Sequence, residues 1–142
     1  MYYFAYGSNM VASQMAARCP NASVIGVACL KGYRFRINSR RVGTVIPDQP
    51  HQVYGLLWNI TPQNLRALDR YEDVKAGLYE KATFVVNLLS DRQVEALIYL
   101  ATDQAIGLPR PRYMKDVLAA AKQWQLPQAY IQELALWLAT DG

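Results

Sequence analysis

Tyr33-Arg34-Phe35-Arg36-Ile37-Asn38 alternates apolar with charged or polar side chains. That is the two-residue period of a strand with one face in a core and the other in water. Neighbouring stretches of similar character predict further strands at Ser23–Leu30, Val42–Ile46 and Gln52–Trp58. Turn formers separate them at Lys31-Gly32, at Ser39–Arg41 and at Pro47-Asp48-Gln49-Pro50. Two longer strands, Leu78–Leu89 and Gln93–Ala101, flank the turn Ser90-Asp91, and an aromatic strand over residues 1–6 ends at Gly7-Ser8-Asn9. Helices are expected from about Met10 to Arg18 with Ser8 or Asn9 as N-cap, and from Thr61-Pro62 to Arg70 or Tyr71. Two more are expected near Arg112–Gln125 and Pro127–Thr140. Strands crowded into the middle with helices at the edges do not alternate as βαβ units do. The pattern is α+β, with a strongly curved or barrel-like, mainly antiparallel sheet.

The 142 residues suit one domain with a sizeable core, and no repeat or linker divides them. The composition, 52% hydrophobic and 18% charged, is that of a globular chain rather than a disordered one. No stretch approaches the roughly 18 apolar residues of a membrane span. The N-terminal residues before Gly7 are too few for a signal core and lack a basic leader, so a cytoplasmic location is expected. Cys19 and Cys29 have neither C-x-x-C spacing nor histidine partners, which points to thiols rather than a metal site. The net charge of +4 draws on Lys31, Arg34, Arg36, Arg40 and Arg41. Their alternation with apolar residues suits a solvated strand face better than a nucleic-acid surface, with one arginine available to an anionic substrate.

The absences narrow the chemistry. The one histidine, His51, sits in a Pro-flanked stretch and reads as a surface residue, so no histidine-based triad is available. No phosphate-binding glycine motif is present. Acid–base work therefore falls to a carboxylate or a tyrosine. In the helix after Thr61, Leu65 and Leu68 mark the apolar stripe, and Glu72 follows four residues beyond Leu68. Asp69 and Asp73 lie on another row, expected to face solvent. Spacing alone leaves Glu72 either as an inward carboxyl with a raised pKa or as a group turned outward where the helix unwinds. Gly7-Ser8-Asn9 reads either as an ordinary strand–helix turn or as an anion site at a helix N-terminus.

Four segments carry a family resemblance. Tyr3-Phe4-Ala5-Tyr6-Gly7-Ser8-Asn9 reproduces the opening strand and turn of the γ-glutamylcyclotransferase-like (AIG2-like) family. The stretch Leu68-Asp69-Arg70-Tyr71-Glu72-Asp73-Val74-Lys75-Ala76-Gly77-Leu78-Tyr79 resembles a second family motif, except that many relatives carry glycine where this chain has Asp73. Val53-Tyr54-Gly55-Leu56-Leu57-Trp58 and Pro109-Arg110-Pro111-Arg112-Tyr113 are similar to two more, and all keep the family's order. The resemblance implies a small mixed, mainly antiparallel barrel with flanking helices and a central cavity. It implies that Tyr3, Phe4, Ala5, Tyr6, Gly7 and Ser8 bind a γ-glutamyl group, that Glu72 is the catalytic acid–base residue, and that Tyr113 closes on the substrate. No metal or cofactor is implied.

The reaction so implied is attack of the substrate's α-amine on its own γ-carbonyl, releasing 5-oxoproline and an amine. Two alternatives stand beside cyclisation of γ-glutamyl amino acids. One is a γ-glutamylamine cyclotransferase using the same carboxylate, with the leaving-group side lined by loops around residues 38–51 and 103–113. The other is a non-catalytic binder of small acids on the same fold. Oligomeric state is not readable: Ile131, Leu134, Leu138 and Trp137 could pack on the barrel or on a partner.

Overall fold

A computed structural model describes residues 1–138. Strand β1 (Tyr2–Ala5) leads into a single 3-10 turn at Ser8–Met10 and helix α1 (Ala12–Arg18). Strands β2 (Ser23–Ile37) and β3 (Gly43–Asn59) form a long hairpin, followed by helix α2 (Pro62–Tyr71). Strands β4 (Tyr79–Leu88) and β5 (Gln93–Ala101) form a second hairpin, and helices α3 (Pro111–Gln123) and α4 (Gln128–Ala135) follow. The strands close into a barrel in the order β1-β3-β2-β4-β5. Every pairing is antiparallel except β5 with β1, which meet in parallel at Tyr3 and Leu97. The expected mixed barrel with flanking helices is therefore the fold.

Two expected turns are bulges. Residues 23–37 form one strand, with its register shifted between Lys31 and Tyr33. Gly32 carries this shift at φ +83, and a side chain there would strike Gln49, so glycine answers both demands. Pro47–Pro50 likewise lies within β3, opposite the shift, where Pro47 faces Tyr33 and Gln52 faces Lys31. The turn formers bend one continuous hairpin instead of breaking it.

Helix α2 begins as its residues dictate. The Thr61 hydroxyl accepts from the Asn64 amide at 3.1 Å, the Asn64 side chain accepts from the Thr61 amide at 3.0 Å, and Pro62 occupies the first turn. By contrast, neither Ser8 nor Asn9 caps α1, which starts at Ala12 after an extended Val11. Their side chains are engaged elsewhere: Asn9 with Tyr3 and Arg18, Ser8 with Tyr71.

Phe4, Leu56, Leu57 and Ile98 are fully buried in the core on the two faces of the curved sheet, and Leu68 of α2 is buried with them. Helix α3 presents Met114, Val117, Leu118 and Ala121, the three- and four-residue spacing of one helical face. Trp124 at its end donates to the Met10 carbonyl at 2.8 Å. Ile131 and Leu134 of α4 belong to the same core, with Trp137 and Leu138 packed against it. The C-terminal stripe thus covers the barrel. Helix α4 is shorter than expected, and the expected end at Thr140 lies outside the described residues. Cys19 and Cys29 are separate buried thiols. No described helix is long and apolar enough to cross a membrane.

Candidate active site

One end of the barrel opens on a cavity of about 230 Å³ that joins the ends of β1 and α2 to the loops after β2 and β5. Its inner wall comes from Tyr3 and Tyr6, only 4% and 7% exposed, and from Tyr79, Tyr99, Tyr113 and Glu72. Larger hollows elsewhere, such as one of about 630 Å³ over Asp69–Ala76, are shallower and gather no comparable set of enclosed polar groups.

Glu72 is aimed here by the way α2 ends. It is the C-cap, its amide bonded to the Leu68 carbonyl at 2.8 Å. Asp73 follows at φ +52, its amide reaching the Arg70 carbonyl at 3.2 Å, while the Val74 amide reaches the Asp69 carbonyl at 3.1 Å. This pair of bonds is the Schellman arrangement, in which the residue after the cap adopts the left-handed conformation. Glycine takes that conformation without penalty, and aspartate tolerates it better than most residues. The carboxyl of Glu72 has no hydrogen-bond or ion-pair partner among the described residues. Burial pushes its pKa up to about 7, against the opposing pull of the Arg18 guanidinium and with added repulsion from Asp73. An acid titrating there exchanges protons readily near neutrality.

Asp73 is exposed, as its row suggests, but it also lines the cavity beside Glu72. Asp69 is not simply solvated either. It accepts from the Tyr99 hydroxyl at 2.6 Å and from the Lys81 ammonium at 2.9 Å, fixing a ring of the cavity wall from behind.

Hydrogen bonds distinguish the tyrosines. The Tyr3 hydroxyl accepts from the Asn9 amide at 2.8 Å, and that of Tyr113 accepts from the Gly43 amide at 3.1 Å, so each keeps its own proton to donate. Tyr6 donates its proton to the Tyr99 carbonyl at 2.5 Å and contributes a wall rather than a donor. Tyr79 donates to the Gly43 carbonyl at 2.9 Å, so Gly43 is held on both sides by tyrosine hydroxyls. Burial raises the pKa of all five ring hydroxyls, keeping them neutral. A methyl group on Gly7 or on Gly43 would come 2.6 Å from the Tyr113 hydroxyl, so both glycines are needed for that ring to fit. Arg18 lies 3.5 Å above the Tyr71 ring, donates to Ser8 and Asn9, and completes the support under the β1 turn.

The structure thus brings Glu72, Tyr3, Tyr6, Gly7, Ser8 and Tyr113 to one cavity. It does not bring Phe4 or Ala5 there. Both are buried in the hydrophobic core, where Phe4 packs against Gly55. The turn after Gly7 is one 3-10 turn, too short to supply the helix dipole that an anion site there would use. His51 lies half-exposed on β3, 3.4 Å from Asp48, away from the cavity. Sequence reasoning missed Tyr79, Tyr99, Arg40 and Arg110 as wall residues. The loops flagged at 38–51 and 103–113 did contain two of them.

Comparison with known proteins bears on the family and the fold. The AIG2-like family profile matches residues 52–134. The γ-glutamylcyclotransferases of Homo sapiens and Mus musculus are each 28% identical, over 93% of this chain and 76% of theirs. A solved γ-glutamyl cyclotransferase superposes with a TM-score of 0.89 at 28% identity, covering 94% of this chain and 85% of its own. YkqA from Bacillus subtilis shares the fold at a TM-score of 0.85 and 24% identity, over 96% of this chain and 53% of its own. With the family profile spanning more than half its length and the barrel and cavity alike in place, the chain belongs to the AIG2-like family.

Proposed function

We propose that this protein is a γ-glutamylcyclotransferase that releases 5-oxoproline and a free amine from γ-glutamyl compounds. The observation that carries the reading is an unpaired and largely buried carboxyl, Glu72, held in a tyrosine-lined cavity with its pKa near 7. The curated relatives that bear this activity by name support it.

In the reaction the substrate's α-nitrogen forms a bond to its own γ-carbonyl carbon, and the γ-amide C–N bond breaks. The α-amine arrives mostly as ammonium, so it must lose one proton before attack and a second as the lactam forms, while one proton must reach the departing nitrogen. Glu72, about half ionised near pH 7, takes the first, returns it to the leaving amine as the C–N bond breaks, and, ionised again, takes the second from the ring nitrogen and passes it to solvent. The cavity's second task is to hold the glutamyl chain folded, since ring closure depends on nitrogen and carbonyl being kept in contact. The developing oxyanion needs donors, and the free protons of Tyr3 and Tyr113 supply candidates together with the Gly7 and Ser8 amides.

The test is release of 5-oxoproline from γ-glutamyl-alanine by the purified protein. Glu72→Gln is expected to bind substrate and lose turnover by at least about a thousandfold, on the scale of a lost general acid–base group. Near-normal turnover would refute the assignment. Tight binding of γ-glutamyl compounds by the unaltered protein with no product would favour a binding module instead.

A further inference from the structure

Four arginines and one lysine cluster along the β2–β3 hairpin and the loop joining its strands, and three of the arginines have partners. Arg34 lies 3.7 Å from Asp48, and Arg36 donates to the Gln104 carbonyl at 3.2 Å. Arg41 donates to the carbonyls of Leu108 and Pro109 at 3.3 and 3.0 Å. Arg40 is different. Half-buried, it lines the cavity, and its guanidinium has no hydrogen bond or ion pair among the described residues. Arg110, from the facing loop, lines the same cavity and is likewise unpaired.

The two loops that carry these arginines are fastened together. Asn38, fully buried, donates to the Asp103 carbonyl at 2.9 Å, the Gly107 amide reaches the Ile37 carbonyl at 2.9 Å, and the Arg110 amide reaches the Arg41 carbonyl at 3.3 Å. Gly107 is required for this approach, because a side chain there would strike the Asn38 backbone. The loops that carry the two cations are thus fastened to each other on one side of the cavity. Asp103, on which Arg40 exerts a weak electrostatic pull, makes its hydrogen bonds to the Ser39 hydroxyl and the Ala105 amide and forms no ion pair with Arg40. The acids that face the cavity, Glu72 and Asp73, lie at the α2 end.

This division matches the two ends of one class of substrate. Cyclisation keeps the glutamyl unit beside Glu72, deep among Tyr3 and Tyr6, so the departing portion points toward the mouth. There Arg110 is exposed and Arg40 half-exposed. Given the proposed cyclotransferase activity, we infer that Arg40 and Arg110 form a subsite that reads a carboxylate on the leaving amine. The protein then prefers γ-glutamyl amino acids to γ-glutamylamines, which lack that group. Guanidinium groups suit the task because their planar donors match a carboxylate's two oxygens.

The experiment compares kcat/KM for γ-glutamyl-alanine and γ-glutamyl-ethylamine, whose leaving groups differ only by the carboxylate. The unaltered protein is expected to favour the alanine compound by about ten- to a hundredfold, the range of a charge-assisted hydrogen bond. In the pair Arg40→Ala with Arg110→Ala that ratio falls to near one, chiefly through KM, while the pair of lysine substitutions keeps an intermediate ratio. Arg110→Glu is expected to raise relative turnover of γ-glutamyl-1,4-diaminobutane, whose leaving group ends in an ammonium. Because each ratio is taken within one protein, partial loss of folding cancels. A ratio near one in the unaltered protein overturns the inference. So does an equal loss on both substrates in the double variant, which would place the guanidiniums on the glutamyl portion. Absence of 5-oxoproline from either substrate sinks the parent reading and this one with it.

Discussion

Replacing Glu72 with glutamine should make the protein more stable at alkaline pH, and by an amount that the structure sets. The carboxyl is held without a partner in a largely buried cavity, and its pKa rises from 4.5 to about 7. At about 1.4 kcal/mol per pH unit, ionising it costs about 3 kcal/mol more in the folded chain than in the unfolded one. The sign follows from linkage. Below pH 4.5 both states hold the proton and the group contributes nothing to pH dependence. As pH rises toward 7 the unfolded chain releases its proton first, so folding stability drains away and then levels off. Glutamine cannot ionise, so the variant escapes the loss. Urea unfolding followed by tryptophan fluorescence, with Trp58 and Trp124 as buried or part-buried reporters, measures both proteins at pH 4.5 and pH 8. The stability of the variant relative to the parent should increase by about 3 kcal/mol between the two pH values. Any pH-independent offset from burying an amide cancels in that comparison. A relative stability that stays constant to within about 0.5 kcal/mol would show that Glu72 is not held neutral, and the acid–base argument would lose its basis.

Three further outcomes are expected. Gly7→Ala should destabilise by about 1–3 kcal/mol through the clash with Tyr113, and Tyr113→Phe should rescue it, whereas Gly43→Ala also meets Phe35 and should not be rescued; a denaturation cycle of the single and double variants decides this. Asp73→Asn and Asp73→Gly both remove the charge that helps raise the Glu72 pKa, so the acidic limb of kcat/KM should move to lower pH in each, with turnover at the optimum falling less than about tenfold; pH–rate profiles measure it. Thr61→Ala should cost about 1 kcal/mol of stability by opening the capping box of α2, read as a lower urea midpoint with an unchanged slope.

The sequence by itself determined what depends on near neighbours along the chain. Alternation placed strands wherever one face had to be buried, Thr61-Pro62 started α2, and the spacing of Leu65 and Leu68 put Glu72 on the inward row. These are consequences of the two- and 3.6-residue periods of the backbone. Local signals misled where the barrel overrode them. Lys31-Gly32 and Pro47–Pro50 read as turns because the residue types are the same, yet the paired strand on the other side makes them bulges. Phe4 and Ala5 shared a motif with the cavity residues but pack into the core. Asp73 lines the cavity as well as meeting solvent, which spacing does not reveal.

The site itself is a tertiary product. Gly43 meets Tyr113 across 70 residues, Tyr6 meets Tyr99 across 93, and Asn38 meets Asp103 across 65. Closure of the barrel alone sets those meetings. It also decided which arginines of a basic hairpin are bonded to carbonyls or paired with an acid, and that Arg40 stands unpaired at the cavity with Arg110 of the facing loop. Charge is legible in composition; whether it is already paired depends on which loops the closed sheet brings together.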